Sequence, residues 1–403
     1  MVTDAGDPVL VVGAGLGGAA LALALARKGF RVRVLEQAPE FGVIGFGIQL
    51  GPNVFPMFDR LGITDAVLAQ SIVPNAVMMV DAADGEIIAS IPTGKPSFRA
   101  RFKRPYIVIH RVDLHRILLD ACAANDNVEM IADCQVEGFD DDGRCVRVRA
   151  AGNRTIEGAA LIGADGIRST VRQLMLNEGE PRMIGYVAHR TIVPMDQVNF
   201  DVDRDNVVLW SGDGFHIVHY PLRDRTLFNI VTVFRTSEDE PPGDTASPHP
   251  DLARVYRQSH PTMKALWAMM DLSHRGWASS DRDPIRRWSR GRVTLLGDAA
   301  HPTLQTFAQG ACMAIEDAVC LAELMAGGDY ARAFRTYENA RYLRTARVQF
   351  ESRYLWDNFY HVGGIEREVA RAIWSARTDD DMFDCLAWLY DGFDLPQPSE
   401  AAA

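Results

Sequence analysis

Cysteine is scarce in this sequence and widely scattered. Six cysteines occur among 403 residues, with no Cys-x-x-Cys pair and no dense cluster. Secreted domains held together by disulfides carry cysteine at far higher density, so that class is excluded. The pattern favours free thiols in a reduced, cytoplasmic setting. The lack of a basic, signal-like segment before the first apolar run points the same way.

Long apolar runs and an excess of positive charge are missing as well. The longest apolar stretch, around residues 19–26, is too short to span a bilayer. The formal net charge is −11 and the pI is near 5.4, which argues against nucleic acid or an anionic membrane as the main partner. No histidines and carboxylates stand at metal-ligand spacing, so no metal site is expected.

Glycine, by contrast, is abundant and ordered near the start of the chain. The apolar run "PVLVV" leads into Gly13, Gly15 and Gly18, then into an Ala/Leu-rich helix pattern and a second strand that ends at Glu36. In this spacing Gly13 permits a tight turn, Gly15 lets the backbone approach a pyrophosphate, and Gly18 lets helix and strand pack closely. A carboxylate at Glu36 suits an adenosine ribose and would repel a 2′-phosphate. The motif predicts a dinucleotide site but does not separate FAD from NAD.

Two later motifs join a strand to a helix or a turn. "ALIGADGIRSTVR" places Asp165 in a tight turn, and "GRVTLLGDAAHP" places Asp298 after a buried strand. Ligands of open α/β sheets collect at the carboxyl ends of the strands, where both aspartates are expected. A strand-end aspartate serves equally well as a helix N-cap, so these residues alone leave both roles open.

The order of patterns predicts an α/β protein with an interrupted Rossmann-type domain. Short strands spaced like an antiparallel sheet begin near residue 182, and helices dominate the end of the chain. We assign three regions: a dinucleotide-binding domain (1–72, 98–181 and 281–340), a mainly antiparallel substrate-binding sheet (73–97 and 182–280) and a C-terminal helical region (341–398).

Taken together, the three motifs resemble those of the FAD-dependent aromatic hydroxylases of the p-hydroxybenzoate hydroxylase type. The resemblance implies a tightly but non-covalently bound FAD. With only one dinucleotide fingerprint in the chain, NADH or NADPH would then visit transiently as electron donor. It also implies that the N-terminus of the helix after "AQG" faces the anionic edge of the reduced flavin. The cofactor-binding residues implied are Gly13, Gly15, Leu16, Gly18, Glu36, Gln49, Arg111, Val136, Asp165, Asp298, Gly310 and Ala311.

The strand "GFHIVHYPL" carries the candidate catalytic side chains. Alternation places His216 and Tyr220 on one face, about 13 Å apart along the strand, and His219 on the other face. Histidine with tyrosine can accept and relay a phenolic proton, but the strand alone fits a half-buried sheet equally well. The resemblance, strongest to the 3-hydroxybenzoate 6-hydroxylases within the family, implies that His216, Tyr220 and Gln305 line the substrate pocket.

The resulting hypothesis is a monooxygenase that uses O2 and NAD(P)H to hydroxylate a small phenolic acid. The best assignment is 3-hydroxybenzoate to 2,5-dihydroxybenzoate (gentisate). Salicylate 1-monooxygenase and 6-hydroxynicotinate 3-monooxygenase activities are the alternatives. A nicotinamide dehydrogenase would leave the later motifs without a role, and a non-hydroxylating flavin-binding sensor is the remaining rival class. The oligomeric state stays open, with a homodimer as one option.

Three further residues complete the expectations. Arg190, on a strand beside the pocket, is a candidate partner for a substrate carboxylate, although such arginines usually only extend to solvent. His301 is interpreted as shaping the turn before Pro302 rather than as a catalyst. Phe46 stands where the family usually has a small residue, in a loop expected near the flavin.

Overall fold

A computed structural model of the chain describes residues 6–42, 45–237, 248–270, 272 and 276–396. Its strands are β1 (Val9–Val12), β2 (Val32–Leu35), β3 (Gly47–Leu50), β4 (Ser71–Ile72), β5 (Val77–Asp81), β6 (Ile87–Ile91), β7 (Ile107–His110), β8 (Val128–Ile131), β9 (Val136–Asp141), β10 (Val146–Ala150), β11 (Arg154–Gly158), β12 (Ala160–Gly163), β13 (Arg182–Pro194), β14 (Val207–Gly212), β15 (Phe215–Leu222), β16 (Leu227–Arg235), β17 (Trp277–Asp281), β18 (Ser289–Arg290) and β19 (Val293–Leu295).

Helices alternate with the strands in the first part of the chain and follow one another without strands between residues 310 and 396. Its α-helices are α1 (Leu16–Arg27), α2 (Phe55–Leu61), α3 (Thr64–Ala69), α4 (Pro96–Phe102), α5 (Arg111–Ala123), α6 (Thr170–Leu176), α7 (Leu252–Gln258), α8 (Pro261–Ala268), α9 (Gly310–Met325), α10 (Tyr330–Leu355), α11 (Gly364–Ser375) and α12 (Asp379–Tyr390). Short 3₁₀ turns cover Pro52–Val54, Met195–Gln197, Gly297–Ala299 and Gln305–Phe307, and a π-helical turn covers Trp356–Tyr360.

The first layer is a sheet with strand order β18-β19-β12-β1-β2-β8. Strand β1 pairs in parallel with both β2 and β12, and β12 pairs in parallel with β19. Every residue of β1 and β12 is buried, as expected for parallel strands covered on both faces. Helix α1 crosses this sheet and packs on α5 and α9. The predicted Rossmann-type domain is therefore confirmed, with the ends of β1, β12 and β19 at one edge.

The second layer is a sheet with strand order β17-β13-β16-β15-β14-β5-β6. All of its pairings are antiparallel except the one between β14 and β5. One face packs on α7 and α8 through an apolar cluster that includes Ile217 and Leu266. Strands from residues 77–91 and from residues 182–281 thus lie in one sheet, and the assignment of these segments to a substrate-binding domain stays a prediction.

Strand β3, which forms a separate three-stranded sheet with β7 and β4, passes over the open face of the second sheet. The backbone N–H of Gly47 donates to Asn229 Oδ1 at 2.8 Å. A Cβ at Gly47 would lie 2.7 Å from the hydroxyl oxygen of Tyr220, so only glycine lets this tyrosine approach β3 so closely. Close contact at Gly47 therefore fixes the second sheet against this small sheet.

The C-terminal region begins inside a long helix. Helix α10 runs unbroken through residues 340 and 341, so the structure shows no break at the boundary assigned between the first and last regions. After it come the π-helical turn, α11 and α12. Within the described residues, no helix is both long enough and apolar enough to cross a membrane.

Candidate active site

The glycine turn after β1 shows a different physical demand at each glycine. Gly13 has a φ of +96°, and a Cβ there would lie 2.6 Å from the carbonyl oxygen of Ala164. A Cβ at Gly18 would collide with the carbonyl oxygen of Gly13, whereas one at Gly15 would meet none of the described residues within 4 Å. The tight-turn and packing roles predicted for Gly13 and Gly18 are thus confirmed. The space above Gly15, at the N-terminus of α1, fits the pyrophosphate of a dinucleotide.

Glu36 closes the same turn from the end of β2. Its Oε2 accepts the backbone N–H of Ala14 at 2.8 Å, and its Oε1 accepts the N–H of Ala38 at 2.9 Å. The carboxylate is therefore held beside the glycine turn, where the ribose-binding role predicted for it requires it to be. The backbone carbonyl of Glu36 accepts the N–H of Cys134 at 2.7 Å, which brings the start of β9, with its buried Val136, to the same place.

Asp298 lies at the end of the first sheet, beside Arg111. Its side chain reaches solvent, yet surrounding protein desolvates it enough to raise the pKa of its carboxyl, against the opposing charges of His301 and Arg111. Burial lowers the pKa of Arg111, and the charge of Asp298 partly offsets this. Asp298 can accept hydrogen bonds and Arg111 can donate them, and each follows the carboxyl end of a strand. The pair therefore fits the hydroxyls and carbonyls of a flavin and its ribityl chain.

Asp165 is engaged within its own turn. Its Oδ1 accepts the hydroxyl of Ser169 at 2.5 Å, and its Oδ2 accepts the backbone N–H of Val171 at 3.2 Å. Ser169 in turn caps α6 by accepting the N–H of Arg172. The structure therefore shows Asp165 supporting a helix start, the alternative left open for it, and its contact with a cofactor stays a prediction.

Helix α9 begins at Gly310 without a side-chain cap. Behind it, Asp317 accepts from His301 Nε2 at 2.6 Å, from Arg341 Nε at 2.6 Å and from the N–H of Gly297 at 3.0 Å. Burial alone would raise the pKa of this carboxyl, but the charges of His301 and Arg341 hold it well below its usual range. The network fixes the start of α9, so Gly310 and the adjacent Ala311 present backbone N–H groups at a rigid position.

His301 belongs to the same network. Its backbone N–H donates to the carbonyl of Gly297 at 2.9 Å, which agrees with the interpretation that it shapes the turn before Pro302. The structure adds a contact that the sequence did not indicate, because the buried ring is bonded to Asp317. A histidine whose ring nitrogen is bonded to a buried aspartate is a structural anchor.

The open face of the second sheet carries the substrate candidates. His216 pairs with Val233, and Tyr220 pairs with Asn229, so both side chains alternate onto the face turned towards β3 and the C-terminal region. His219 lies on the opposite face, where its Nε2 accepts Trp210 Nε1–H at 3.1 Å. The predicted placement of His216 and Tyr220 on one face and His219 on the other is confirmed, and the catalytic role of the first two stays a prediction.

Comparison with known proteins agrees with this geometry. The chain matches the FAD binding domain family over residues 7–350. It is 42% identical over 387 residues to 3-hydroxybenzoate 6-hydroxylase of Polaromonas naphthalenivorans, covering 95% of each chain. The chain belongs to the FAD-binding domain family. As its relatives are, it is an FAD-dependent monooxygenase, and the cofactor predicted from the sequence is confirmed.

Two further comparisons outline the range of this flavoprotein family. The chain is 36% identical to 6-hydroxynicotinate 3-monooxygenase of Bordetella bronchiseptica, covering 85% of this chain and 89% of the relative. Klebsiella pneumoniae HpxO, solved with FAD and uric acid, superimposes with a TM-score of 0.82 at 25% identity, covering 96% of this chain and 97% of that one.

The sheet face of this flavoprotein also carries a half-buried cation. Arg190 lies on β13 over the ring of Trp277, 5.6 Å from its centroid. Its Nε–H is buried and has no hydrogen-bond partner in the part of the chain that the structure describes. Burial lowers the pKa of Arg190, and the charge of Arg111 adds to this, while Tyr220 opposes it. A desolvated guanidinium with an open donor is suited to an anionic group.

Two polar residues missed from the sequence surround His216 and Tyr220. Tyr106 Oη donates to Gln49 Oε1 at 2.6 Å, and Gln49 also hydrogen-bonds to Tyr220. Gln49 therefore serves the tyrosines in this structure, and the cofactor contact predicted for it stays a prediction. Tyr106 stands directly before β7, and no motif of the sequence singles it out.

His361 is the second missed residue. Its Nε2 lies 2.7 Å from His216 Nδ1, and its Nδ1 lies 3.1 Å from the carbonyl oxygen of Trp356. Burial holds the pKa of both imidazoles well below the usual value, to about 3 for His361. His216 is therefore neutral at physiological pH, in the state that accepts a proton.

Gln305 lies in the 3₁₀ turn that leads to α9. Its Nε2 is buried without a hydrogen-bond partner among the described residues. The next residue, Thr306, accepts the hydroxyl of Tyr360 at 2.7 Å through its carbonyl oxygen, and the ring of Tyr360 lies 5.3 Å from that of His216. The turn that carries Gln305 is thus tied to the segment that surrounds His216, and Gln305 keeps an amide donor free for a ligand.

Proposed function

We propose that this enzyme hydroxylates a small phenolic acid, with conversion of 3-hydroxybenzoate to 2,5-dihydroxybenzoate (gentisate) as the preferred assignment. The observation that carries the proposal is the composition of one sheet face. The face carries a neutral histidine, a tyrosine and a desolvated arginine. His216 and Tyr220 on β15 and Arg190 on β13 point to the same side of the sheet, with β16 between the two strands. A phenol that also bears a carboxylate offers matching groups to all three.

The relatives support the choice of substrate. Proteins named 3-hydroxybenzoate 6-hydroxylase, from Polaromonas naphthalenivorans and Klebsiella oxytoca, are 42% and 39% identical to this chain over nearly its whole length. A protein named 6-hydroxynicotinate 3-monooxygenase follows at 36%. Both named substrates are hydroxylated aromatic acids, which is the class that a neutral, proton-accepting imidazole with a desolvated guanidinium favours.

The chemistry that FAD supplies when bound is activation of O2 with electrons taken from NAD(P)H. The protein supplies the activation of the ring. His216 accepts the phenolic proton, and the phenolate that remains donates electron density to the ring carbon that receives oxygen. Arg190 pairs with the carboxylate and fixes the orientation of the ring. The hydroxyl of Tyr220, whose pKa burial raises, stays protonated and serves as a hydrogen-bond donor or acceptor beside the ring.

Residues that border the face limit access of water. Tyr220 and His216 are both buried, and the apolar side chains of Val231 and Val233 fill the rows between them. A dry pocket keeps activated oxygen from being lost to solvent before it reaches the ring. The same dryness strengthens each charged contact with the substrate.

The test is a panel of small aromatic acids with purified yellow enzyme. NADH and NADPH oxidation is followed with 3-hydroxybenzoate, salicylate, 6-hydroxynicotinate and benzoate, and products are identified by chromatography. We expect the largest acceleration with 3-hydroxybenzoate, and 2,5-dihydroxybenzoate formed in proportion to the donor consumed. Greater acceleration and product formation with salicylate or 6-hydroxynicotinate would replace the preferred substrate. If no acid accelerates the oxidation of NADH or NADPH, the proposed function is wrong and the non-hydroxylating flavin-binding sensor becomes the favoured hypothesis.

A further inference from the structure

We infer that His361 is a positioning residue that sets the tautomer of His216, so that His216 Nε2 is the atom that accepts the substrate proton. The inference deepens the proposed function and rests on it for the identity of the phenol. Its basis is the chain of three groups formed by His216, His361 and the carbonyl oxygen of Trp356.

The carbonyl at the end of the chain decides where the protons lie. A carbonyl oxygen only accepts, so His361 Nδ1 must carry the hydrogen in the 3.1 Å contact with Trp356. In a neutral imidazole the other nitrogen, His361 Nε2, is then an acceptor. The 2.7 Å contact therefore requires His216 to donate from Nδ1. What is left on His216 is Nε2 with its lone pair, which has no hydrogen-bond partner among the described residues.

The segment around His361 is built to hold this geometry. The preceding residues form a π-helical turn, a rare conformation that is frequent at functional sites. Ser211 Oγ lies within hydrogen-bond distance of the carbonyl oxygens of Phe359 and Tyr360, at 2.8 and 3.0 Å, and the N–H of Gly214 donates to the carbonyl of His361 at 3.2 Å. These bonds tie the turn to strand β14 and its hairpin, directly beside His216.

Aromatic rings fix the plane of the second imidazole. The rings of Trp356 and Tyr186 lie 4.4 and 4.6 Å from that of His361, and Trp356 also contacts His216 edge-on at 5.8 Å. With both imidazoles clamped, the proton that leaves the phenol oxygen is taken by His216 Nε2. The imidazolium keeps its Nδ1–H on His361, and the negative charge stays on the substrate oxygen, so protons and charge balance.

The direct test is the tautomer itself. Nitrogen NMR of the holoenzyme, with the His216 signal assigned by its loss in His216→Gln, reports which ring nitrogen carries hydrogen. We expect His216 with hydrogen on Nδ1 in the wild type and a mixture of tautomers in His361→Phe. Hydrogen on Nε2 in the wild type would overturn the inference, whatever substrate the enzyme proves to use.

Kinetics separates positioning from simple structural support. His361→Phe keeps an aromatic ring but removes the acceptor, and should lower kcat for the hydroxylated acid by about 100-fold with little change in KM. His361→Gln restores an acceptor oxygen and should recover part of the loss. A substrate analogue fluorinated beside the hydroxyl, whose phenol is more acidic, should be less affected by His361→Phe. The matched control is His219→Gln, a buried histidine on the same strand that faces the other way and should turn over like the wild type.

Each outcome has one meaning. Equal kcat in His361→Phe and the wild type, or equal losses in His361→Phe and His219→Gln, would overturn the inference. If the wild type hydroxylates none of the phenolic acids but His216 carries its hydrogen on Nδ1, the proposed function is wrong. The inference that His361 positions His216 then still stands.

Discussion

Replacing Arg190 by methionine should cost the enzyme its preference for acids over neutral phenols. The guanidinium lies on the open sheet face with a buried Nε–H that has no partner among the residues that the structure describes. A carboxylate that binds there therefore gains a charge-assisted hydrogen bond in a poorly hydrated place. Such bonds contribute about 1.5–3 kcal/mol. At about 1.4 kcal/mol for each factor of ten, Arg190→Met should weaken 3-hydroxybenzoate binding by roughly 10- to 150-fold.

The assay compares two ligands of nearly equal shape. Binding of 3-hydroxybenzoate and of 3-hydroxybenzamide to oxidised enzyme is followed by calorimetry. In the wild type the acid should bind more tightly, whereas in Arg190→Met the two should bind about equally, with the amide little changed. Arg190→Lys keeps the positive charge but loses the planar guanidinium, so its preference for the acid over the amide should lie between those of the wild type and Arg190→Met. Equal losses for acid and amide would refute the reasoning, because they would show that Arg190 supports the sheet rather than the carboxylate.

Two other predictions test the cofactor turn and a buried histidine. Gly15→Val places a side chain where a Cβ meets none of the described residues within 4 Å, so the variant apoprotein should be as thermally stable as the wild-type apoprotein. The variant holoenzyme should nevertheless lose FAD on gel filtration, because the side chain fills the space for the pyrophosphate. Full retention of flavin by the variant would contradict the site. Burial lowers the pKa of His219 to about 3, so its contribution to stability is present above the unfolded pKa of about 6.5 and is lost as pH falls. Between pH 7 and pH 5 the wild type should lose about 2 kcal/mol more unfolding free energy than His219→Gln in urea titrations, and parallel losses would count against a neutral buried imidazole.

Much of the cofactor half of the molecule follows from the sequence because its constraints are local. A left-handed φ at Gly13 and the contact between Gly18 and the Gly13 carbonyl arise within six residues of chain. Helix and strand periodicity on either side confirm the context. The same holds for β15, whose alternation alone separates His216 from His219.

The substrate half could be predicted only in part, because its decisive contacts join distant parts of the chain. His361 meets His216 across 145 residues, through a π-helical turn that has no periodic signature. The contact of the His301 ring with Asp317 joins the turn before Pro302 to the middle of α9, 16 residues away, and no local pattern indicates it. Arg190 is a candidate substrate partner from its place on a strand, but the burial of its Nε depends on the packing of Trp277, which no local pattern indicates.

The two halves are built differently, and this bears on how such enzymes come to accept different acids. The cofactor half combines backbone groups at two helix starts with a few side chains such as Glu36 and Asp298, whereas the candidate substrate residues are all side chains on one sheet face and near one C-terminal turn. Phe46 illustrates the second case. It packs edge-on against Trp277 at 5.4 Å, and Trp277 supports Arg190. A large residue at position 46 therefore braces the charged end of the pocket, and a small residue there would leave the tryptophan, and with it the arginine, free to move.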